Sequence, residues 1–275
     1  MTRWRHGNGD DDTEGRAAEM ARHRENGWRG KWAAAVLGVS ALAAVTSLWT
    51  AQADTLSGPA PHPSPSTTHA AHPKKVATGI AHASDKGPRG VNITVDDGPD
   101  PTWTPQVLAV LKQYGVKATF CMVGSQAQAY PDLVKQVVAD GHRLCDHTIS
   151  HDTAMDHKSE AYQAQEILDA ERMITKASGG VHPQYYRAPG GAFTPYSRRL
   201  AASHGMRPLG WNVDTKDFEH PGVAAIVSTV KSELPNGPTI LFHDAGGDRA
   251  ETLAALREVL PWLKQHGHTF GFPVR

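Results

Sequence analysis

The chain has 275 residues, with 28 basic and 28 acidic side chains and a formal net charge of zero. A balanced charge provides no positive field to gather nucleic acid, and none of the acidity that keeps a chain solvated and disordered. The length accommodates one α/β barrel with an N-terminal extension, without a second core.

Residues 1–31 are polar and end in Arg29-Gly30-Lys31, and an uncharged stretch from Trp32 to Ala53 follows. A basic flank, an apolar centre and small residues at the end read as an export signal. Ala51-Gln52-Ala53 presents the small-x-small pattern that signal peptidase needs, so cleavage after Ala53 is expected. The alternative is an uncleaved membrane tether, because the run is about long enough to cross a hydrocarbon core of roughly 30 Å. Both readings place the bulk of the chain outside the cytoplasm, secreted or at the cell surface, since positive charge before an apolar run stays inside. Residues 54–87 are rich in Pro, Ser, Thr and His and have few large apolar side chains to bury, which reads as a linker. Its histidines at 62, 69, 72 and 82 are irregularly spaced, and a solvated spacer accounts for them better than a metal site.

From residue 88 to 275 short β-rich runs alternate with amphipathic segments. The expected strands are 91–95, 118–123, 142–145, 184–187, 207–213, 239–242 and 268–272. Helical patterns lie between them, among them 105–115, 131–141, 161–180 and 251–267, several ending in a glycine suited to a helix C-terminus. Strand–helix–strand repetition implies parallel neighbours joined by crossovers, and seven strands point to a closed or nearly closed barrel. No GxGxxG follows the first strand, so nothing supports a dinucleotide site. Cys121 and Cys145 fall in expected strands, where a disulfide and two buried thiols both remain open.

The polar residues fall in one place. Asp96 and Asp97 follow the first expected strand, His147 and His151 the third, Arg187 the fourth, Asp214 and Asp217 the fifth, and His243 the sixth. In a barrel of parallel strands the C-terminal ends form the face that carries the active site, so these residues are expected to converge on one pocket.

His147 and His151 are spaced to share one side of a helical turn and to meet on one metal ion. Chance also produces such pairs in a chain with 16 histidines. Asp97 would complete the two-imidazole, one-carboxylate set of a catalytic zinc site, which leaves positions open for water and substrate. Thr148 stands where a metalloprotease needs glutamate, so the base comes from elsewhere, and Asp96 is the candidate. Asp96-Asp97-Gly98-Pro99 also reads as an ordinary turn with solvated carboxylates.

TVDDGP at 94–99, HTISH at 147–151, RAPGG at 187–191, VDTKDF at 213–218 and LFH at 241–243 together resemble the five ordered motifs of the NodB-homology polysaccharide deacetylases, carbohydrate esterase family four. The resemblance spans about residues 88–275. It implies an α/β fold, a distorted (β/α)7 barrel forming a single catalytic domain. It implies a divalent metal held by Asp97, His147 and His151, zinc by preference, with cobalt, nickel or manganese suited to the same ligands. Asp96 matches the general base, Arg187 the arginine that orients it, His243 the general acid and Asp217 the aspartate that supports the acid. A backbone N–H at Gly190 matches the oxyanion donor, and Trp211, Phe218 and Leu241 match the pocket wall. Trp211 and Leu241 are equally readable as plain core. Two positions depart from the family pattern, Gly190 where an aromatic residue is common and Phe218 where tryptophan is common. The implied activity is removal of N-acetyl groups from an N-acetylglucosamine polysaccharide, peptidoglycan or chitin-like. The alternatives are an acetylxylan esterase on the same scaffold and a catalytically degenerate carbohydrate-binding protein. The expected partner is the polysaccharide, with no nucleic acid, and the chain is expected to act as a monomer.

Overall fold

A computed structural model describes residues 76–275. The expected export segment, its cleavage site and His62, His69 and His72 lie outside the described residues. Among the described residues no helix is long and apolar enough to cross a membrane.

In chain order the elements are β1 (Gly90–Asp96), α1 (Thr104–Gln113), β2 (Ala118–Met122), α2 (Gly124–Ala129), α3 (Pro131–Ala139), β3 (Arg143–Asp146), α4 (Glu160–Ala177), β4 (Tyr185–Tyr186), α5 (Pro195–Ser203), β5 (Arg207–Pro208), β6 (Val213–Asp214), α6 (Val223–Glu233), β7 (Thr239–His243), α7 (Ala250–Gln265) and β8 (Thr269–Phe270). The sheet runs β5-β4-β3-β2-β1-β7-β6, with β8 beside the start of β1. Every ladder between these strands is parallel. Seven of the eight strands therefore curl into a barrel left open between β5 and β6, the distorted (β/α)7 barrel that the sequence leads one to expect.

Strand pleating sorts the side chains. Successive residues point to opposite faces, so Val91, Ile93 and Val95 of β1 join Ala118, Phe120 and Met122 of β2 and Ile240 and Phe242 of β7 in the core beneath the helices. Val107 and Leu111 of α1, Ile174 of α4, Val230 of α6 and Leu253, Leu256 and Leu260 of α7 close that core from outside. The other parity faces the barrel interior. There Asn92 Nδ2 donates to Thr239 Oγ1 at 2.9 Å and Thr94 Oγ1 donates to the Ile240 carbonyl at 2.8 Å. Asp96 at the end of β1, and Leu241 and His243 on β7, share this inner parity with Cys121, Cys145, Tyr185 and Leu209. Cys121 and Cys145 are register partners on β2 and β3 and form a disulfide, which settles the alternative that the sequence leaves open.

One expected strand divides. Residues 207–213 form two short strands at opposite ends of the sheet path, because the chain between them is held in other bonds. The carbonyls of Leu209 and Gly210 accept from the Arg187 guanidinium at 3.3 and 2.9 Å, and the Gly210 N–H donates to Ala81. A side chain at Gly210 would lie 2.3 Å from the His82 ring, so this crossing needs glycine. The folded part also begins ahead of residue 88. Ala81 bridges Leu209, Ser84 bridges Pro273, and Thr239 Oγ1 donates to the His82 carbonyl at 2.6 Å.

Candidate active site

The strand ends build one cavity of about 470 Å³, lined by Asp96, Asp97, His147, His151, Gly190, Trp211, Phe218, Leu241 and His243 together with Thr153, Ala188, Asp214, Gly246 and Arg249. Arg187 and Asp217 stand directly behind it, both fully buried. All twelve residues singled out from the sequence, Asp214 among them, thus come together at the C-terminal face.

Asp97, His147 and His151 bring one ligand atom each within 4.8 Å of one another. The His147 Nδ1 lies 2.7 Å from the Arg187 carbonyl, which can only accept, so Nδ1 carries the proton and Nε2 offers its lone pair. Burial lowers the His147 pKa below 6.5, which keeps the ring neutral as metal ligation requires. Asp97 Oδ1 stands 3.5 Å from that Nε2 and 3.2 Å from Nε2 of His151. Yet Oδ1 is buried with no hydrogen-bond donor. An unpartnered carboxylate oxygen facing a free imidazole lone pair and a second imidazole suits a cation, so the residues fit a divalent metal.

The spacing of the two histidines is achieved differently from the expected helical turn. Residues 147–151 form a loop with no helical residue, in which Thr148 (φ 65°) and His151 (φ 59°) are left-handed. These two reversals bring the rings together at 4.8 Å between centroids.

Asp96 is 2 % exposed, which replaces the solvated-turn reading of the Asp-Asp-Gly-Pro segment. Its Oδ1 accepts from Arg187 Nη1 at 2.6 Å, and the same nitrogen donates to Thr94 Oγ1 at 3.0 Å. Arg187 spends its remaining donors on the Leu209 and Gly210 carbonyls, so its planar fork is fixed on four acceptors. Gly98 packs against the next layer, where a Cβ would lie 2.3 Å from Asp244 Oδ1. The Asp244 carboxyl, fully buried and held by Thr104 Oγ1 at 2.6 Å, is pushed by burial up to about 7.

His243 is the opposite case. Its Nδ1 lies 2.7 Å from Asp217 Oδ1, and its backbone N–H donates to Asp217 Oδ2 at 2.9 Å. Burial disfavours the imidazolium, but the hydrogen bond and charge of Asp217, with the charges of Asp97 and Asp96, outweigh it and raise the pKa to about 9. Asp217 is correspondingly held below its ordinary value, its burial outweighed by the bonds from His243 and from Thr252. Thr252 Oγ1 donates to Asp217 Oδ2 at 2.7 Å, and Arg249 donates to the Asp217 and Gly246 carbonyls at 3.2 and 3.1 Å.

The pocket wall is apolar where the Leu241 side chain and the Trp211 ring stand, with the Arg187 guanidinium 5.5 Å from the ring centroid. Phe218 meets the His243 ring edge to face at 5.1 Å and remains 42 % exposed. Gly190 is left-handed (φ 59°, ψ 12°), and a Cβ there would meet only Thr153. Sequence reasoning missed Thr94, Arg249 and Thr252. A polar residue on the buried face of a helix is the signal that Thr252 offers, since Leu253 and Leu256 mark that face in α7.

Residues 83–209 match the model of the polysaccharide deacetylase family. Over 182 residues the chain is 40% identical to a peptidoglycan-N-acetylglucosamine deacetylase of Bacillus cereus, covering 66% of this chain and 84% of that protein. It is 36% identical over 193 residues to a chitooligosaccharide deacetylase of a Bradyrhizobium species, covering 66% of this chain and 87% of that protein. The crystal structure of a peptidoglycan N-acetylglucosamine deacetylase in complex with an N-oxidanyl-benzamide superposes with a TM-score of 0.65 at 30% identity, over 70% of this chain and 89% of that one. The curled parallel sheet, the five motifs gathered at its C-terminal face and relatives matched over most of their length make this chain a member of the polysaccharide deacetylases, the amide-hydrolysing NodB-homology enzymes of carbohydrate esterase family four.

Proposed function

We propose that this chain hydrolyses N-acetyl groups on an N-acetylglucosamine polysaccharide, peptidoglycan or a chitin-like polymer, and releases acetate. One observation carries the reading. A carboxylate held by a buried guanidinium and an imidazole held protonated by a buried carboxylate share one cavity with an Asp-His-His ligand set.

Asp97, His147 and His151 would hold the divalent ion, with zinc the choice that best suits two imidazoles and a carboxylate. When bound, the ion supplies positive charge that acidifies a neighbouring water and polarises the acetyl carbonyl. Asp96 takes the proton from the attacking water, and Arg187 fixes the carboxylate in the orientation for that transfer. The Gly190 N–H donates to the oxyanion of the tetrahedral intermediate, and Trp211 and Leu241 enclose the acetyl methyl. His243, protonated at neutral pH, gives its proton to the departing amine while Asp217 steadies the imidazolium. Phe218 offers an exposed apolar face to the sugar.

The raised pKa of His243 favours amide over ester substrates, because an amine leaves only when protonated whereas an alkoxide needs less help. We further place the enzyme outside the cytoplasm. The support is the basic flank and apolar run of residues 29–53, with a cleaved signal favoured over a tether.

The experiment compares acetate release from N-acetylglucosamine oligomers, peptidoglycan and acetylated xylan by the wild type and Asp96→Asn. Release from the amide substrates, with a loss on the order of 10²–10⁴-fold in the variant, is expected. Release from xylan alone supports the esterase reading, and no release by either protein from any of the three substrates supports a degenerate binding protein.

A further inference from the structure

The two imidazoles of the ligand set sit on a strained loop. Of the five residues 147–151, Thr148 and His151 are left-handed without being glycine, a conformation that persists only where surrounding structure enforces it. The enforcement comes from two helices on either side.

On one side is Glu166 of α4, 7 % exposed and in the middle of that helix. Its Oε2 accepts the backbone N–H groups of Ile149 and Ser150, both at 3.0 Å, and its Oε1 accepts the Ser150 hydroxyl at 3.0 Å. No Lys, Arg or His among the described residues lies within ion-pair distance of it. A buried carboxylate without a cation is costly, and every bond that offsets this cost goes to the two residues between the left-handed pair. One turn earlier on the same helix, Tyr162 OH donates to Asp152 Oδ2 at 3.1 Å, just beyond His151.

On the other side, the N–H groups of Gly124 and Ser125, at the start of α2, donate to the Thr148 and Ile149 carbonyls at 2.8 and 3.4 Å. α2 can grip the loop from there because it lies close against α4. A Cβ at Gly124 would stand 2.9 Å from Ala170 Cα, one turn after Glu166. The middle of the loop is thus held by the Ile149 and Ser150 N–H groups from α4 and by the Thr148 and Ile149 carbonyls from α2. The Thr148 N–H donates to Asp146 Oδ1 at 2.8 Å and the His151 N–H to Thr148 Oγ1 at 3.2 Å.

We infer that Glu166 is a positioning residue for the metal site, fixing the loop of residues 147–151 so that His147 and His151 face Asp97. This rests on the metal-site reading above. It concerns a residue outside the ligand set and the cavity lining, which acts through the loop's two backbone N–H groups and the Ser150 hydroxyl.

The test uses the full chain stripped of metal. Zinc affinity is measured by competition with a chromophoric chelator, with the melting temperature of the metal-free protein recorded alongside. Glu166→Ala is expected to weaken zinc binding roughly 10–100-fold, the range typical when support for a ligand is removed. Glu166→Gln should stay within about threefold of wild type, since its amide oxygen accepts the same two N–H groups and its NH₂ donates to the Ser150 hydroxyl. Glu166→Asp, one methylene too short to reach both N–H groups, should fall between, and it decides the matter if the alanine variant does not fold. Wild-type affinity in the Ala and Asp variants, whatever happens to their melting temperatures, overturns the inference and leaves Glu166 a structural residue only. A wild type that binds no divalent ion overturns the metal-site reading itself, so the two failures are separable.

Discussion

His147 and His243 line the same cavity, are both buried, and each place Nδ1 2.7 Å from an oxygen. For His147 that oxygen is the Arg187 carbonyl, for His243 the Asp217 carboxylate. Burial pushes both rings toward neutrality, and for His243 the hydrogen bond and negative charge of Asp217, helped by Asp97 and Asp96, reverse it. One ring is left with a free lone pair on Nε2 and the other with a proton to give. The difference between ligand and acid therefore lies behind the rings rather than in the cavity, in which acceptor the fold places against Nδ1.

Asp217→Asn removes that charge at nearly constant shape, and it is the largest way to break the contrast. His243 should lose its elevation and become neutral in the physiological range. Deacetylation at pH 8 should fall on the order of 10²–10⁴-fold, the usual worth of a positioned acid. The remaining activity should peak at lower pH, as a pH profile of kcat/KM would show.

Stability offers a smaller test with a definite sign. His243 has a folded pKa near 9 against an ordinary 6.5, so its contribution is fully present below about 6.5 and lost as pH rises through 9. Denaturant melts of metal-free wild type should lose on the order of 3 kcal/mol across that window that Asp217→Asn does not lose. From the acid side the same pair weakens as pH falls below the ordinary carboxylate value of 3.8. His147 has the opposite sign to His243. Its ring is held neutral, so it favours the fold above its ordinary value of 6.5 and opposes the fold as pH falls below it.

The smallest effect belongs to Phe218→Ala. The ring touches His243 by its edge and is largely open to solvent, so its removal should raise KM by roughly threefold to tenfold with little change in kcat. A larger drop in kcat than in substrate affinity would show that the ring helps to hold the imidazolium.

The barrel and its polar face were legible because both depend on local pattern. Alternation along β1 separates Val91, Ile93 and Val95 from Asn92, Thr94 and Asp96, and each motif adjoins a strand end. The break of residues 207–213 into two strands was hidden because it depends on Arg187 and Ala81, far away in sequence, taking the backbone bonds of Leu209 and Gly210. The HTISH segment misled for a related reason. Its four-residue spacing is that of a helix, while the left-handed turns at Thr148 and His151 are set by bonds from Glu166 and Gly124. Glu166 and Thr252 could have been noticed as polar residues on buried helix faces, although nothing in the sequence says what they hold.

The most direct measurement is acetate release from N-acetylglucosamine oligomers by the full chain, stripped of metal and then resupplied with zinc. The account predicts a barrier raised by several kcal/mol on stripping, a rate lowered about 10³-fold or more, and recovery on resupply. Release that is indifferent to the chelator, in protein shown to be metal-free, would contradict it, because Asp97, His147 and His151 would then have no part in the chemistry.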